Sequence, residues 1–243
     1  MLPSPLSASH KEHLEAFAAL RPSWRVSVVD PLFGGEFSGG DVERAYKTPH
    51  PYVRGMKDVL RVVNTYQPKN VLDIGSPLPQ NIAVHYFTNL CVLDIRAHPD
   101  KSLGLTFLQG TATDIPLPTA SQDMVTSCWV ICHVGDGRYG DPLKPEGDLR
   151  MLEEVHRVLR PGGIFVLGIG PVDDTPYIVF NVHRVYSWAW LCETFELKRF
   201  KILEMGEYPV SGDMYLDPGW TSGAFVRATT LKEAYGFVVL EKL

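Results

Sequence analysis

From about residue 69 to residue 169 the chain repeats one pattern. A short, unbroken apolar run is closed by Gly, Pro or Asp and followed by polar or helix-patterned residues. The runs are Asn70–Ile74, Leu90–Ile95, Leu105–Gln109, Asp123–Val130 and Ile164–Ile169. A strand with one face in water alternates apolar and polar residues, whereas a continuous run suits a strand covered on both faces, as in parallel sheets. Two later runs, Phe200–Met205 and Tyr235–Leu240, flank a long stretch through 206–234 rich in Gly, Pro and aromatics. They read as an antiparallel pair added to the sheet edge, and the stretch between them is long enough to help wall a site. Gly147–Leu159 carries Leu149, Leu152, Val155 and Leu159 at helical spacing and stops at Pro161-Gly162-Gly163, and Tyr52–Tyr66 is also helix-like. The expected fold is α/β: a Rossmann-like, doubly wound, mostly parallel seven-stranded sheet with an antiparallel last strand pair.

The first 50 residues differ. His10–Leu20 predicts a helix, and "DPLFGGEFSGGD" is a Gly-rich connection. A segment this short cannot bury a core of its own. The expected division is an N-terminal helical cap or lid over 1–50 and one domain over 51–243, with Tyr46 and Tyr52 as residues that close over a site.

Composition removes several function classes. The formal charge is -5, and the chain has no basic run longer than Lys198-Arg199-Phe200-Lys201. That leaves no cationic footprint for nucleic acid. No apolar segment approaches the roughly 20 residues that span a bilayer. "MLPSPLSASHKEHLEAF" lacks the basic and apolar regions of a secretory signal. The four cysteines, Cys91, Cys128, Cys132 and Cys192, form no C-x-x-C and no zinc spacing. A soluble cytoplasmic protein with reduced thiols is expected, with neither nucleic acid nor membrane as partner.

Ligands of an open parallel sheet collect at the carboxyl ends of its strands. Three features fall there: Asp73-Ile74-Gly75-Ser76, Asp94 in "CVLDIR", and "QGTATD" at 109–114. An acid at the end of the second strand can accept both hydroxyls of a ribose. The loop after Gly75 continues Ser76-Pro77-Leu78-Pro79, where a dinucleotide-binding chain supplies further glycines. Two prolines remove two N–H donors, which disfavours a phosphate cradle and hence a nicotinamide cofactor. A nucleoside cofactor without phosphate does not need those donors.

The ordered set "VLDIG … VLDIR … LQGTATDIPLPTASQDMVTS … EVHRVLRPGGIFVLGI" resembles the class I S-adenosylmethionine-dependent methyltransferases over roughly residues 50–205. Within that superfamily, "HVGDGRYGDPLKPEGDL" and "FNVHRVY" resemble a little-characterised methyltransferase-like family. The resemblance implies S-adenosylmethionine as cofactor, with S-adenosylhomocysteine as product. It places Asp73, Gly75 and Ser76 beside the methionine part, Asp94 on the ribose and Ile95 on the adenine. Thr111 and Ala112 stand where an Asp-Ala pair often reads the adenine edge, so Thr111 is a departure that keeps a hydrogen bond without a charge. Trp129 would flank the sulfonium, where an indole face favours a cation.

Chemistry then belongs to two polar clusters. "CHVGDGRYGDP" concentrates His133, Asp136, Arg138, Tyr139 and Asp141 after the fourth strand. "NVHR" at 181–184 follows the fifth strand, with a helix start capped by Asn181 as the bland alternative. His133 and His183 are candidates for a base and its orienting group, Asp141 joins them, and Arg138 or Arg184 is placed to hold a polar acceptor. The spacing of His133, Asp141 and His183 matches no metal-ligand pattern, so no metal is expected. The reading is a methyltransferase that O-methylates a small polar acceptor such as a sugar or glycan hydroxyl. The rival is a binding or scaffold protein of the same fold that does not catalyse.

Overall fold

The computed structural model describes residues 8–28, 51–97, 103–180, 182–209 and 234–243. Tyr46, the Gly-rich connection at 30–41, the stretch 210–233 and Asn181 lie outside them, as does the side chain of Tyr52.

In chain order the elements are α1 (Ala8–Leu20), β1 (Arg25–Val28), α2 (Pro51–Tyr66), β2 (Asn70–Ile74), α3 (Leu78–His85), β3 (Asn89–Asp94), β4 (Thr106–Gln109) and β5 (Gln122–Cys128). There follow α4 (Gly147–Val158), β6 (Leu159–Val172), β7 (Tyr177–Phe180), β8 (His183–Val185), α5 (Trp188–Leu197), β9 (Phe200–Pro209) and β10 (Ala234–Lys242). Seven strands form one sheet in the order β4-β3-β2-β5-β6-β10-β9. Pairing is parallel from β4 to β6, and β10 runs antiparallel to both β6 and β9. All seven expected strands are present, in the expected class of sheet.

The continuous apolar runs have a direct explanation. Side chains alternate across a strand, and both faces of this sheet carry a core. Leu72, Val125, Phe165, Leu167, Val238 and Leu240 point to one core, shared with α4 and α5 through Leu152, Val155 and Phe195. Val71, Met124, Ile164, Val166 and Val239 point to the other, where Val59, Val62 and Val63 of α2 and Val84 of α3 meet them. Helix α4 faces its core with Met151, Leu152, Val155 and Val158. It is one residue shorter than its apolar spacing predicts, because Leu159 is extended and opens β6.

The stretch whose bland alternative is a helix start is not helical. "YIVFNVHRVY" forms the hairpin of β7 and β8, with Tyr177 opposite Val185 and Val179 opposite His183. The helix begins later, at Trp188, where the Ser187 side chain accepts the Trp190 N–H. Branched and aromatic residues make this stretch a strand former, and only Ser187 supplies a cap. The hairpin recruits β1 in parallel, with Arg25 opposite Tyr177, into a second three-stranded sheet. The described N-terminal residues therefore pack into the main core, with Phe17 at 0% and Trp24 at 6% exposure.

Candidate functional site

A cavity of about 870 Å³ opens at the carboxyl ends of the central strands, within the usual size of a small-molecule site. Its floor is the loop Ile74-Gly75-Ser76-Pro77, and one wall is Leu93, Asp94, Ile95 and Arg96. A second wall is Gly110, Thr111 and Ala112, and Val53 and Met56 of α2 close the side. Trp129, His133, Tyr139 and Asp141 form the far end.

The loop after β2 is held from within. Gly75 turns with φ +62°, and a Cβ there would press on the Val130 side chain at 3.2 Å. The Gly75 N–H donates to Leu93 O at 3.0 Å, and the Ser76 N–H to Asp73 Oδ1 at 3.0 Å. Pro77 and Pro79 have no N–H, so four of the five backbone positions 75–79 offer a ligand no amide. Pro77 instead caps α3, whose first turn carries proline without loss. This donor set suits a nucleoside without phosphate and gives a pyrophosphate no cradle.

Asp73 does not line the cavity. Its carboxylate is fully buried and accepts from Ser76 N–H, Gln80 Nε2 at 3.3 Å and Thr126 Oγ1 at 2.6 Å. Burial outweighs those bonds and raises its pKa. Expected beside the ligand, it is a brace one layer behind. Ser76 does reach the cavity, and its Oγ accepts the Cys128 N–H at 3.0 Å.

Asp94, Ile95, Thr111 and Ala112 all line the cavity together. The Asp94 carboxylate is already engaged: Oδ1 accepts Arg96 N at 2.8 Å and Nε at 2.9 Å, and Oδ2 accepts Nη2 at 2.9 Å. Thr111 Oγ1 lies 3.1 Å from Thr113 Oγ1 and accepts the Thr113 N–H at 3.3 Å. Trp129 takes a left-handed backbone, φ +59°, with its N–H on Gly168 O at 2.8 Å. Its ring lies against the backbone of α2, where a Cβ on Gly55 would fall inside the indole. Glycine at this helical position is thus required by packing.

At the far end His133 Nδ1 is 2.7 Å from Val182 O, so Nδ1 is the protonated nitrogen and Nε2 keeps its lone pair. Desolvation, His183 and Arg138 lower the His133 pKa to about 3. His183, with ring centroid 6.4 Å from His133, falls to about 4 for the same kind of reason. His183 and Arg138 do not line the cavity, and Arg138 lies over the Tyr139 ring at 5.6 Å. Asp141 lines it while fastening its own loop, Oδ2 accepting Gly135 N–H at 2.7 Å. Among the described residues no group of three His, Cys, Asp or Glu could hold a metal ion.

Asp136 and Arg184, expected at the site, are buried behind it. Arg184, at 0% exposure, donates to Val134 O at 2.7 Å and Asp136 Oδ1 at 2.6 Å, and lies 3.9 Å from Asp148. Asp148 also accepts from Arg21, just after α1, at 2.5 Å and from the Tyr186 hydroxyl at 3.0 Å. His13 approaches Asp136 at 3.6 Å. Burial would raise Asp148, but Arg21 and Arg184 together prevail and hold it below the usual range. This network ties α1, the loop after β5 and the β7–β8 hairpin into one unit. Its members are scattered through the chain, and no local pattern announces them. Arg96 did have a local signal, since an Asp two residues before it forms an Asx turn on its N–H.

The sheet order, the antiparallel β10 and the cavity define the fold of the class I S-adenosylmethionine-dependent methyltransferases. Residues 108–203 match the family described as "Caenorhabditis protein of unknown function, DUF268". A Mycolicibacterium smegmatis protein described as "Probable S-adenosylmethionine-dependent methyltransferase/" is 30% identical over 115 residues, 44% of this chain and 40% of its own length. Among solved structures, a Burkholderia thailandensis 1,6-didemethyltoxoflavin-N1-methyltransferase with bound 1,6-didemethyltoxoflavin and S-adenosylhomocysteine is similar. It superposes with TM-score 0.60 at 14% identity over 99% of this chain and 93% of its own. YcgJ of Bacillus subtilis gives TM-score 0.57 at 15% identity over 78% of this chain and 98% of its own.

Proposed function

We propose that the chain is an S-adenosylmethionine-dependent methyltransferase acting on a small polar molecule, by preference at a sugar or glycan hydroxyl. The observation that carries this is one cavity walled in turn by the carboxyl ends of β2, β3, β4 and β5. The ligand bound to the Burkholderia neighbour and the name of the mycobacterial relative point the same way. The cofactor supplies an electrophilic methyl group on a sulfonium. Asp94 holds the ribose, Ile95 and Ala112 enclose the adenine with Thr111 at its edge, and Gly75 and Ser76 lie by the methionine part. Trp129 bounds the sulfonium.

His133 is the base. Val182 O holds its Nδ1–H and leaves the Nε2 lone pair for an acceptor O–H; the lowered pKa keeps the ring neutral at some cost in basicity, and a hydroxyl is the acceptor that gains most from proton removal. Asp141 shapes the loop that carries His133, while His183 and Arg138 tune it electrostatically. Residues 1–50 serve as a cap, and His13 of α1 and Arg21 just after it anchor that loop. Free thiols at Cys91, Cys128, Cys132 and Cys192 fit a cytoplasmic setting. No helix among the described residues is long and apolar enough to cross a membrane.

Calorimetry with S-adenosylmethionine and S-adenosylhomocysteine tests the reading, and micromolar binding of both is expected. Absence of heat and of thermal shift with either removes it. The rival, a scaffold of the same fold, predicts binding without methyl transfer across a panel of hydroxylated acceptors. With an acceptor in hand, His133→Ala should lower turnover about 100-fold and leave S-adenosylhomocysteine affinity within about twofold.

A further inference from the structure

Arg96 lies where the proposed ribose contact must form. It grips Asp94 with its own N–H, Nε and Nη2, all at 2.8–2.9 Å. Both carboxylate oxygens are therefore occupied on the side that Arg96 covers, and a vicinal diol needs two acceptors on the same group. The guanidinium is nonetheless held lightly. Its side chain is 68% exposed, against 21% for Asp94. Beyond Asp94 it rests over the Tyr139 ring at 5.9 Å, and Tyr139 stands edge-on to His133 with centroids 5.4 Å apart. Asp94, Arg96, Tyr139 and His133 all line the same cavity.

We infer that Arg96 competes with the ribose diol for Asp94 and so tunes the affinity for nucleosides that carry it. A nucleoside carrying both hydroxyls displaces the guanidinium from the carboxylate, whereas a nucleoside without them cannot. This rests on the assignment of the cavity to S-adenosylmethionine. Displacement is cheap because the guanidinium is largely exposed and screened by solvent, and the Tyr139 ring stays beside it. Arg96 thereby lowers the affinity of a diol-bearing nucleoside modestly and leaves that of a nucleoside without the diol unaffected.

The test is calorimetric titration of S-adenosylhomocysteine and 2′,3′-dideoxyadenosine into the wild type, Arg96→Met, Asp94→Asn and the double variant. Arg96→Met is expected to bind S-adenosylhomocysteine about threefold to fivefold more tightly. It should leave dideoxyadenosine unchanged, and it should have no effect in the Asp94→Asn background. High salt should narrow the gap between wild type and Arg96→Met, since it weakens the competing pair. Unchanged or weaker S-adenosylhomocysteine binding by Arg96→Met overturns the inference, because Arg96 would then be neutral or a ligand donor. Equal tightening without Asp94 overturns it as well. If no form of the protein binds S-adenosylhomocysteine, the assignment of the cavity fails first and the inference falls with it.

Discussion

The two ends of the cavity are built by different means. The end formed by Asp94, Ile95, Thr111 and Ala112 is held by local bonds: Asp94 to Arg96, Thr111 to Thr113, and Gln109 Nε2 to Ile95 O at 3.1 Å. The end formed by His133 and Asp141 is held from a distance. Val182 fixes the His133 ring, and behind the loop Arg184 joins Asp136 to Asp148 while Arg21 reaches in from just after α1. A locally fastened wall keeps its shape wherever its strands pair. A remotely fastened loop depends on segments more than 100 residues away, such as Arg21 on Asp148 with a separation of 127. Under the proposed function, the contrast suits a constant cofactor at one end and a particular acceptor at the other.

The largest effect expected from breaking this contrast is at Arg184. Arg184→Met leaves Asp136 and Asp148 facing each other in a buried site, with Arg21 as the remaining strong cation. Removing one partner of a buried pair costs about 3–5 kcal/mol, so urea unfolding should show a midpoint lowered accordingly. Where the variant stays folded, S-adenosylhomocysteine affinity should change far less than stability does. A loss below about 1 kcal/mol would show that the network is not what fastens the loop.

Asp94→Ala should behave in the opposite way. Its bonds are local and partly exposed, so stability should move by no more than about 0.5 kcal/mol. Charged hydrogen bonds to a ribose are worth about 1.5–3 kcal/mol, so S-adenosylhomocysteine should bind about 10-fold to 100-fold more weakly. Unchanged affinity in calorimetry would separate Asp94 from the ribose. Gly55→Ala probes the shared wall, since its new methyl must displace the Trp129 ring. Overpacking of this kind costs about 1–3 kcal/mol. Quenching or a spectral shift of tryptophan fluorescence, together with the lowered unfolding midpoint, would report the displaced ring.

The same contrast explains what could be read from the chain alone. Apolar runs announce strands, because each strand needs both faces filled, and the cavity residues Gly75, Asp94 and Thr111 lie at or just after the ends of those strands. Asp73 misled because an acid at a strand end can serve a ligand or its own loop, and only the three-dimensional positions of Thr126 and Gln80 decide. The role of Arg184 depends on Asp136, Asp148 and Phe17, whose ring lies 5.6 Å from its guanidinium. Sequence spacing carries no trace of such meetings. At residues 177–180 and 183–185 the branched and aromatic residues did carry a strand signal, and the helix start was only the alternative reading.

The smallest expected effect is a pH dependence, and it belongs wholly to the His133 end. The folded state holds His133 at about 3 and His183 at about 4, both below the ordinary value of 6.5. Below pH 6.5 the unfolded chain takes up protons at these two rings while the folded chain does not, so stability falls as pH falls. The loss begins near pH 6.5, grows toward pH 4, and levels off below the folded values, where both states are protonated. Both rings are half-buried, so solvent screens the effect and the slope should be shallow. Unfolding midpoints measured between pH 8 and pH 4 should decline in the wild type and decline less in His133→Gln/His183→Gln. Because acidic groups elsewhere titrate equally in both proteins over this range, the difference between the two curves isolates the imidazoles. Parallel curves would mean that His133 is solvated like an ordinary surface histidine, and the electrostatic contrast between the two ends of the cavity would be lost.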